Sequence, residues 1–445
     1  MLKDCFGLPI TTNSSEAIAA INSFIDASLS YGKNAQVILE AVAADPTCAI
    51  AHAYAATYYL TQESASTRSQ AAPYLVEAQK YLEIATEREQ LYISAVLAWA
   101  QGDIQSAIAL HEEIAKKYPH DLISVQMGQY HYFYVGNSMR LLMIAEKVLS
   151  ANRDNHYLYG MIAFGLEQSY RLEEAEAVGR RALEINRHDP WAQHAVAHVM
   201  ETQGRLDEGI AWMESFSDTW ESCNSMLLTH NWWHIALYYL EKEDFQKVLT
   251  LYDQYIWGRA TKESSKDQVG AISLLLRLEL RGVDVGFRWQ ELAAYLSYRI
   301  YEHTLPFQDL HYVYALAKAD RAEQLEEMLL SMQAYINNAL PFVQKIWREV
   351  TIPAVRGMVA HAQGDWIKAI AQLGSVLPRL HEVGGSHAQR DLFEQVYLDA
   401  WLRNEHNHTA LHLLNNRVKS RRFIPLRSPE LTLSYNNLGL VLKAS

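Results

Sequence analysis

Residues 88–121 read REQLYISAVLAWAQGDIQSAIALHEEIAKKYPHD, and this stretch decides the fold. Two apolar segments of helical periodicity flank the turn signal Gly102-Asp103, and Pro119 ends the second segment. Small residues such as Ala107 stand where the two helices must touch. A helix–turn–helix unit of about 34 residues has the size of a tetratricopeptide repeat.

The same pattern repeats in phase along the chain. Three further units follow at 122–155, 156–189 and 190–223. Weaker units begin near residues 229, 268, 305, 350 and 391. Strand signals are nearly absent. We therefore predict an all-α fold, a tetratricopeptide-type α-solenoid in which about ten helix pairs form a right-handed superhelix.

No low-complexity linker interrupts the chain, which favours one continuous domain with three sections. Residues 1–87 are predicted to hold N-terminal helices and an atypical first repeat. Residues 88–262 are the regular repeats with a His-rich groove, and 263–445 are divergent C-terminal repeats with a cap. The looser pattern from Arg421 to Ser445 predicts that this tail caps the last repeat.

Composition excludes several partners. The net charge is -12 and no long basic run occurs, which argues against nucleic acid and against an anionic membrane. A basic or zwitterionic ligand suits this charge better. The three cysteines are far apart and odd in number, so neither a disulfide framework nor a thiolate metal site is indicated, and we expect a cytoplasmic protein. No segment approaches the roughly 20 apolar residues that span a bilayer.

Seven short segments, met in order over most of the chain, are similar to the tetratricopeptide repeat protein 38 family. They are Gly7-Leu8-Pro9, Arg88-Glu89-Gln90-Leu91, Tyr132-Phe133-Tyr134, Phe164-Gly165-Leu166, His194–His198, His230–His234 and Gly384–Asp391. The resemblance implies an α-solenoid and carries no activity with it. Two positions depart from the family pattern, Gln129 where histidine is common and His387 where asparagine is common.

Helix A of each repeat predicts which side chains line the concave surface. Positions 2, 5, 9 and 12 of that helix share one face. The rule selects polar and aromatic residues in three successive units: Tyr157, Gly160, Phe164 and Glu167; Trp191, His194, His198 and Glu201; His230, Trp233 and His234, with Glu241 on the same side.

Two histidine pairs with i, i+4 spacing, His194/His198 and His230/His234, lie one repeat apart. Paired imidazoles on neighbouring helices can share a cation, and with Glu201 they suit a divalent metal, zinc or iron. The same histidines can instead bond carboxylates such as Glu167 and Glu201, either in a metal-free polar pocket or in a packed structural groove. A third pair, His408/His412, falls on a predicted outer helix and illustrates a chance spacing.

Other candidates surround the same groove. Asp309 and His311 follow Pro306-Phe307 and are either an acid–base pair or, by the favoured interpretation, a helix cap and a core histidine. Arg390 and Asp391 follow a glycine turn, where an anion could bind or an ion pair could close the turn.

An aromatic stripe formed by Tyr157, Phe164, Trp191 and Trp233 is either a wall on which a ligand stacks or ordinary core. Signatures of nucleotide-binding loops, nucleophile elbows and zinc proteases are absent from the sequence. The familiar enzyme classes are therefore disfavoured.

Two functions remain, and the sequence does not decide whether the protein is an enzyme. The leading prediction is a binding protein that holds a small molecule or a peptide in a groove lined by histidine, glutamate and tryptophan. The alternative is a metal-dependent enzyme acting on a small molecule in the same groove, with Glu167, Glu201, Glu241, Asp309 or His311 as candidate catalytic residues.

Overall fold

The computed structural model describes residues 1–421, and these are mainly helical. Two short strands, β1 (Leu2–Lys3) and β2 (Pro9–Ile10), pair antiparallel with Leu2 opposite Ile10. The predicted all-α class and its tetratricopeptide-type helix pairs are confirmed. The predicted cap beyond Arg421 lies outside the described residues.

The chain packs as two compact units. Residues 1–196 and 216–228 form the first unit. Residues 197–215 and those from 229 onward form the second.

The helices follow one another along the chain with short connections. Those up to residue 202 are α1 (Ser15–Leu29), α2 (Ile38–Ala44), α3 (Ala49–Leu60), α4 (Ala65–Lys80), α5 (Glu87–Ala100), α6 (Ile104–Lys117), α7 (Leu122–Tyr134), α8 (Ser138–Glu146), α9 (His156–Gln168), α10 (Leu172–Ile185) and α11 (Pro190–Thr202). The later ones are α12 (Leu206–Glu214), α13 (Ser225–Glu241), α14 (Phe245–Leu251), α15 (Ser265–Leu280), α16 (Arg288–Ala293), α17 (Pro306–Lys318), α18 (Ala322–Asn338), α19 (Pro341–Ile346), α20 (Ile352–Ala362), α21 (Trp366–Gly374), α22 (His387–Arg403) and α23 (Asn407–Arg421).

Short 3₁₀ and π segments join several of these helices. The 3₁₀ segments are Ala35–Val37, Leu82–Ile84, Leu149–Ala151, Ser217–Ser222, Ser297–Arg299 and Leu377–Val383, and the π segments are Tyr252–Ile256 and Trp347–Thr351. Helices α11 and α13 contribute residues to both units.

The turn inside a repeat follows from local chemistry. Helix α5 starts at a capping box, in which Thr86 accepts from the backbone of Glu89 and the Glu89 carboxylate accepts from the backbone of Thr86 at 2.8 Å. Gly102 ends the helix with a φ of +82°, a left-handed conformation that favours glycine. Asp103 then caps α6 by accepting from the backbone N–H of Ser106 at 3.1 Å. Hence the Gly-Asp pair reverses the chain.

Helix α15 is the central helix of the second unit. It packs against α16, α17 and α22. Ala271, Ile272 and the leucines at 274, 275, 276 and 278 are fully buried, which accounts for its continuous apolar run. Two polar residues in the same run, Ser273 and Arg277, are therefore carried into the interior.

Among the described residues, no helix combines the length and the apolar character that crossing a bilayer requires.

Candidate functional site

Three of the predicted histidines lie together in the second unit, on α11 and α13. The ring centroid of His234 is 4.4 Å from that of His198 and 4.8 Å from that of His230. Each of the three rings offers a nitrogen within 4.8 Å of the other two. His198 and His234 are buried, while His230 is half-buried. The i, i+4 spacing of His230 and His234 produces this arrangement, because it places both rings on one face of α13.

A carboxylate orients the central histidine. Nδ1 of His234 lies 2.9 Å from Oε2 of Glu201. An imidazole that donates from Nδ1 to a carboxylate carries its lone pair on Nε2. Burial, and secondarily the charge of Arg277, lowers the pKa of His234 to about 3, so the ring is neutral at pH 7. Burial and the neighbouring His234 lower the pKa of His230 well below its ordinary value.

Trp233 forms a wall beside these rings. Its indole stacks on His230, with centroids 5.2 Å apart and planes 12° from parallel. Its Nε1 donates to Oγ of Ser273 at 3.1 Å. The guanidinium of Arg277 lies over the indole, 5.3 Å from a ring centroid, at a distance typical of a cation–π contact.

Arg277 is a buried cation held by neutral groups. It donates to Oγ of Ser273 at 3.1 Å and to the carbonyl of Ala388 at 2.8 Å. Within residues 1–421 it forms no ion pair with a carboxylate, although a buried charge usually has one. Burial lowers the pKa of Arg277 to about 10, even though the more distant Asp391 and Glu201 act to raise it. Arg277 therefore places a buried positive charge beside Trp233.

A cavity with about 250 Å³ of space, including its open mouth, lies beside Trp233. Residues of α13, α15, α17 and α22 line it: His230, Trp233, Lys266, Val269, Gly270, Ser273, Phe307, His311 and Gln389.

His311 is one of the residues that line this cavity, and one of its ring nitrogens is an unused acceptor. Nδ1 of His311 lies 2.7 Å from the carbonyl oxygen of Phe307, one turn earlier on α17. The carbonyl can only accept, so Nδ1 carries the proton and Nε2 the lone pair. Nε2 is buried and has no hydrogen-bond partner among the described residues. Burial lowers the pKa of His311 to about 4 and keeps the ring neutral. Buried ring nitrogens without a partner also occur at His52 and His131, but His311 differs from them because it belongs to the lining of the cavity.

Two glycines shape the cavity. A Cβ added at Gly270, inside α15, would meet no atom within 4 Å, so the missing side chain contributes to the open space. Gly385 has a φ of +85°, and a Cβ there would lie 2.7 Å from the ring of Phe307. The glycine turn before α22 therefore packs closely on the phenyl wall of the cavity.

The remaining aromatic candidates lie in the first unit. The hydroxyl of Tyr157 donates to Asp26 of α1 at 2.7 Å. Trp191 stacks on Tyr31 with centroids 4.7 Å apart, and Phe164 lies 4.8 Å from Trp191. These rings pack against residues of their own unit.

Two further candidates also belong to the first unit. His194, four residues before His198 on α11, packs on Trp191 at 4.7 Å and on Phe164 at 5.8 Å. Glu167 is fully buried and accepts from the side chain of Gln168 at 2.7 Å.

Two acidic candidates of the second unit have basic partners. Glu241 accepts from Arg281 at 2.6 Å. Asp309 is bonded to His303, not to His311, with Nδ1 and Oδ2 2.9 Å apart. Burial raises the pKa of Asp309. Neither carboxylate is among the residues that line the cavity.

Arg390 and Asp391 follow the glycine turn at the start of α22. Arg390 donates to the carbonyl of Gly385 and so closes the turn upon itself. Asp391 accepts from the side chain of Gln395 at 2.6 Å.

The sequence interpretation missed the contribution of α15. Lys266, Gly270, Ser273 and Arg277 all come from this helix. One signal was present, because the charged residue Arg277 lies in the largely apolar run 271–278. A charged residue there predicts either an internal ion pair or a site.

No family model matches the chain. Three solved structures with tandem helices resemble it at low identity. A Rap protein complexed with competence and sporulation factor is 15% identical, with 73% of this chain and 98% of that chain covered and a TM-score of 0.44. The human IFIT1 dimer with m7Gppp-AAAA is 14% identical, and the match covers 98% of this chain and 96% of that chain with a TM-score of 0.42. The APC/C hetero-tetramer Cut9–Hcn1 is 13% identical, and the match covers 97% of this chain and 78% of that chain with a TM-score of 0.43. Such low values transfer no function to this chain.

Proposed function

We propose that this tetratricopeptide-type protein is a binding protein for a small zwitterion, a free amino acid or a close analogue, held in the cavity beside Trp233. The observation that carries the proposal is Nε2 of His311, a buried lone pair at a cavity wall without a partner in the described chain. A ligand ammonium group would donate to this nitrogen. The gain would be that of a buried hydrogen bond to a charged donor, about 1.5–3 kcal/mol.

The other end of the ligand is inferred from charge. Lys266 lines the cavity, and the buried Arg277 lies behind Ser273 and Trp233. Both cations favour a carboxylate on this side. Trp233, Phe307 and Val269 offer apolar surface to a side chain. The neutral acceptor of His311, the two cations and the apolar surface together match the groups of an amino acid. A zwitterion also has no net charge, so a chain with a net charge of -12 does not repel it.

Size favours a small molecule over a peptide. The figure of about 250 Å³ includes open solvent at the mouth, so the enclosed part of the cavity is smaller and admits only a small group. A peptide would need an extended groove, and its terminal residue alone would enter here.

Family membership and location belong to the same proposal. Three of the segments that resemble the tetratricopeptide repeat protein 38 family meet in the second unit, since His198 lies 4.4 Å from His234 and 6.0 Å from His387 by ring centroid. This convergence supports membership of that family. Three free cysteines, two of them buried, support a cytoplasmic location. We propose no nucleic-acid or membrane partner.

The test measures thermal shifts and calorimetric binding with the free amino acids, each compared with its N-acetyl and C-amide derivatives. We expect at least one free amino acid to bind, and both of its derivatives to bind at least tenfold more weakly, because each lacks one of the two charges. The full chain is used together with Gly270→Leu, which fills the cavity. This variant should remain folded by circular dichroism and lose binding.

Two alanine variants separate cavity filling from helix stabilisation. Gly270→Ala should raise the free energy of unfolding by about 0.5–1 kcal/mol, because glycine is unfavourable inside a helix, and should also weaken ligand binding. Gly160→Ala in α9 of the first unit is the matched control and should leave binding unchanged. Failure of every amino acid to bind, or equal binding to Gly270→Leu, would refute the proposal, and preferential binding of peptides would replace it.

A further inference from the structure

We propose that His198, His230 and His234 of the second unit form a binding site for a divalent transition-metal ion, with zinc as the preferred metal. The inference stands on the histidine cluster and does not depend on the amino acid proposed above.

The distances are those of a site that closes around an ion. One nitrogen of each imidazole lies within 4.8 Å of the other two. Nitrogens bound to one zinc ion at about 2.0–2.1 Å are separated by roughly 3.4 Å in a tetrahedral arrangement. A contraction of at most about 1.4 Å is within the reach of side-chain rotation about χ1 and χ2. Three imidazoles are a sufficient protein ligand set for zinc.

Glu201 supplies the contact that separates a metal site from a chance cluster. Histidines that bind metals almost always donate their outer ring N–H to a carboxylate or a carbonyl, which fixes the tautomer and strengthens the ligand nitrogen. The bond from Nδ1 of His234 to Glu201, at 2.9 Å, has this geometry. Glu201 was predicted from the sequence as a direct ligand, and the observed contact assigns it instead the role of a positioning residue.

The choice of metal follows from the donor set. Imidazole nitrogen suits zinc, copper, iron and nickel, whereas magnesium and calcium prefer oxygen. A non-haem iron site of the common type needs two histidines and a directly bound carboxylate. Because Glu201 contacts the outer nitrogen of His234, zinc fits the cluster better than iron(II).

Burial favours a stable site. His198 and His234 are each 1% exposed or less, and their rings are 4.4 Å apart. An ion bound between these rings would be shielded from water, and its binding to the folded state would stabilise the folded chain.

The experiment uses full-length protein purified without an affinity tag. Elemental analysis should find about one equivalent of zinc. Protein stripped by a chelator should bind added Zn²⁺ in a competitive titration. Added Co²⁺ should give visible absorption bands, which report nitrogen coordination independently of stability.

Three variants identify the ligands. His234→Ala should lose the metal. Glu201→Gln should keep the fold and bind Zn²⁺ about 10–100-fold more weakly, since an orienting partner has been weakened. His408→Ala, from the exposed pair His408/His412 of α23, is the matched control and should bind like the parent protein.

Absence of zinc in the purified protein, together with no uptake of Zn²⁺ or Co²⁺ by the stripped protein, would overturn the proposal. Loss of metal in His408→Ala as large as in His234→Ala would overturn it as well. If His234→Ala does not fold, the metal affinity of Glu201→Gln and the cobalt spectrum of the parent protein decide whether the cluster binds a metal ion. A binding constant unchanged in Glu201→Gln would remove Glu201 from its positioning role.

Discussion

Arg88 of the first unit and Arg277 of the second unit are both buried, and they have different partners. Arg88 in the first unit forms an ion pair with Asp121 at 3.0 Å, with both side chains 2% exposed. Arg277 in the second unit is equally buried but donates only to Ser273 and to the carbonyl of Ala388 among the described residues. Although burial acts to lower it, Tyr54 and Asp121 raise the pKa of Arg88, whereas burial lowers the pKa of Arg277 to about 10.

The histidines repeat this contrast. In the first unit, His111 and His131 lie 5.5 Å apart by ring centroid, and Nδ1 of His111 is 2.8 Å from the hydroxyl of Ser124. Burial lowers the pKa of His111 to about 3, as it does for His234 in the second unit. A lowered pKa therefore does not identify a site. The orienting carboxylate Glu201 and the third imidazole distinguish the cluster of the second unit.

The difference teaches how to recognise a site in an all-helical chain without sequence signatures. Arg88 finds its counter-charge, Asp121, inside the first unit, although Nε of Arg88 and Nε2 of His131 have no hydrogen-bond partner among the described residues. In the second unit, Arg277 and His311 keep charge or hydrogen-bonding capacity that the described chain does not use. Because the first unit also holds buried ring nitrogens without a partner, unused capacity alone does not mark a site; at His311 it coincides with the lining of a cavity.

The largest expected effect is on the first unit. Arg88→Met should lower the free energy of unfolding by about 3–5 kcal/mol, because Asp121 is left as a buried charge without its partner. Chemical denaturation of the variant and the parent protein measures the difference. A loss below about 1 kcal/mol would show that the pair is not structural and would erase the contrast with Arg277.

The next effect is the loss of folding stability at low pH that His111 causes. The pKa of His111 in the folded state, about 3, is below the unfolded value of about 6.5, so the unfolded chain takes up the proton first. Its contribution to stability is complete above about pH 6.5 and is lost as the pH falls toward 3. The slope is up to about 1.4 kcal/mol per pH unit for this group. Unfolding free energies of the parent protein and of His111→Gln between pH 7 and 4 should converge with this slope, and parallel curves would contradict the assignment.

The smallest effect is expected at the second arginine. Arg277→Met should change the free energy of unfolding by about 1 kcal/mol or less, because relief of desolvation offsets the lost bonds to Ser273 and Ala388. Amino-acid binding should nevertheless weaken, since the positive potential behind Trp233 is removed. A stability loss as large as that of Arg88→Met would assign Arg277 a structural role like that of Arg88.

Much of the fold could be predicted because its signals are local. The predicted units at 88, 122, 156 and 190 correspond to helices that begin at Glu87, Leu122, His156 and Pro190. Farther along the chain the correspondence is looser. The unit predicted near 391 begins at His387, because a capping box of Ser386 and Gln389 starts α22 earlier than the apolar period indicates.

The candidate site was predicted only in part. The i, i+4 rule placed His230 and His234 on one face, which needs one helix only. The concave-face rule offered Glu201 as a direct ligand, and Asp309 and His311 were interpreted either as an acid–base pair or, by preference, as a helix cap and a core histidine. The structure places Glu201 beside His234 and Asp309 beside His303. These partners are set by contacts between helices, on which spacing along one helix carries no information.

The sequence by itself therefore determined the helix pairs of this protein, their turns and the faces that are buried, because capping, glycine turns and apolar periodicity act within a few residues. Only the tertiary structure decided which buried polar groups find a partner. Whether Arg277 meets a carboxylate, whether Nε2 of His311 meets a donor and whether Gly270 leaves a cavity depend on how α13, α15, α17 and α22 pack together. That packing is set by the fit of many side chains at once, which is the physical reason that no local pattern reveals it.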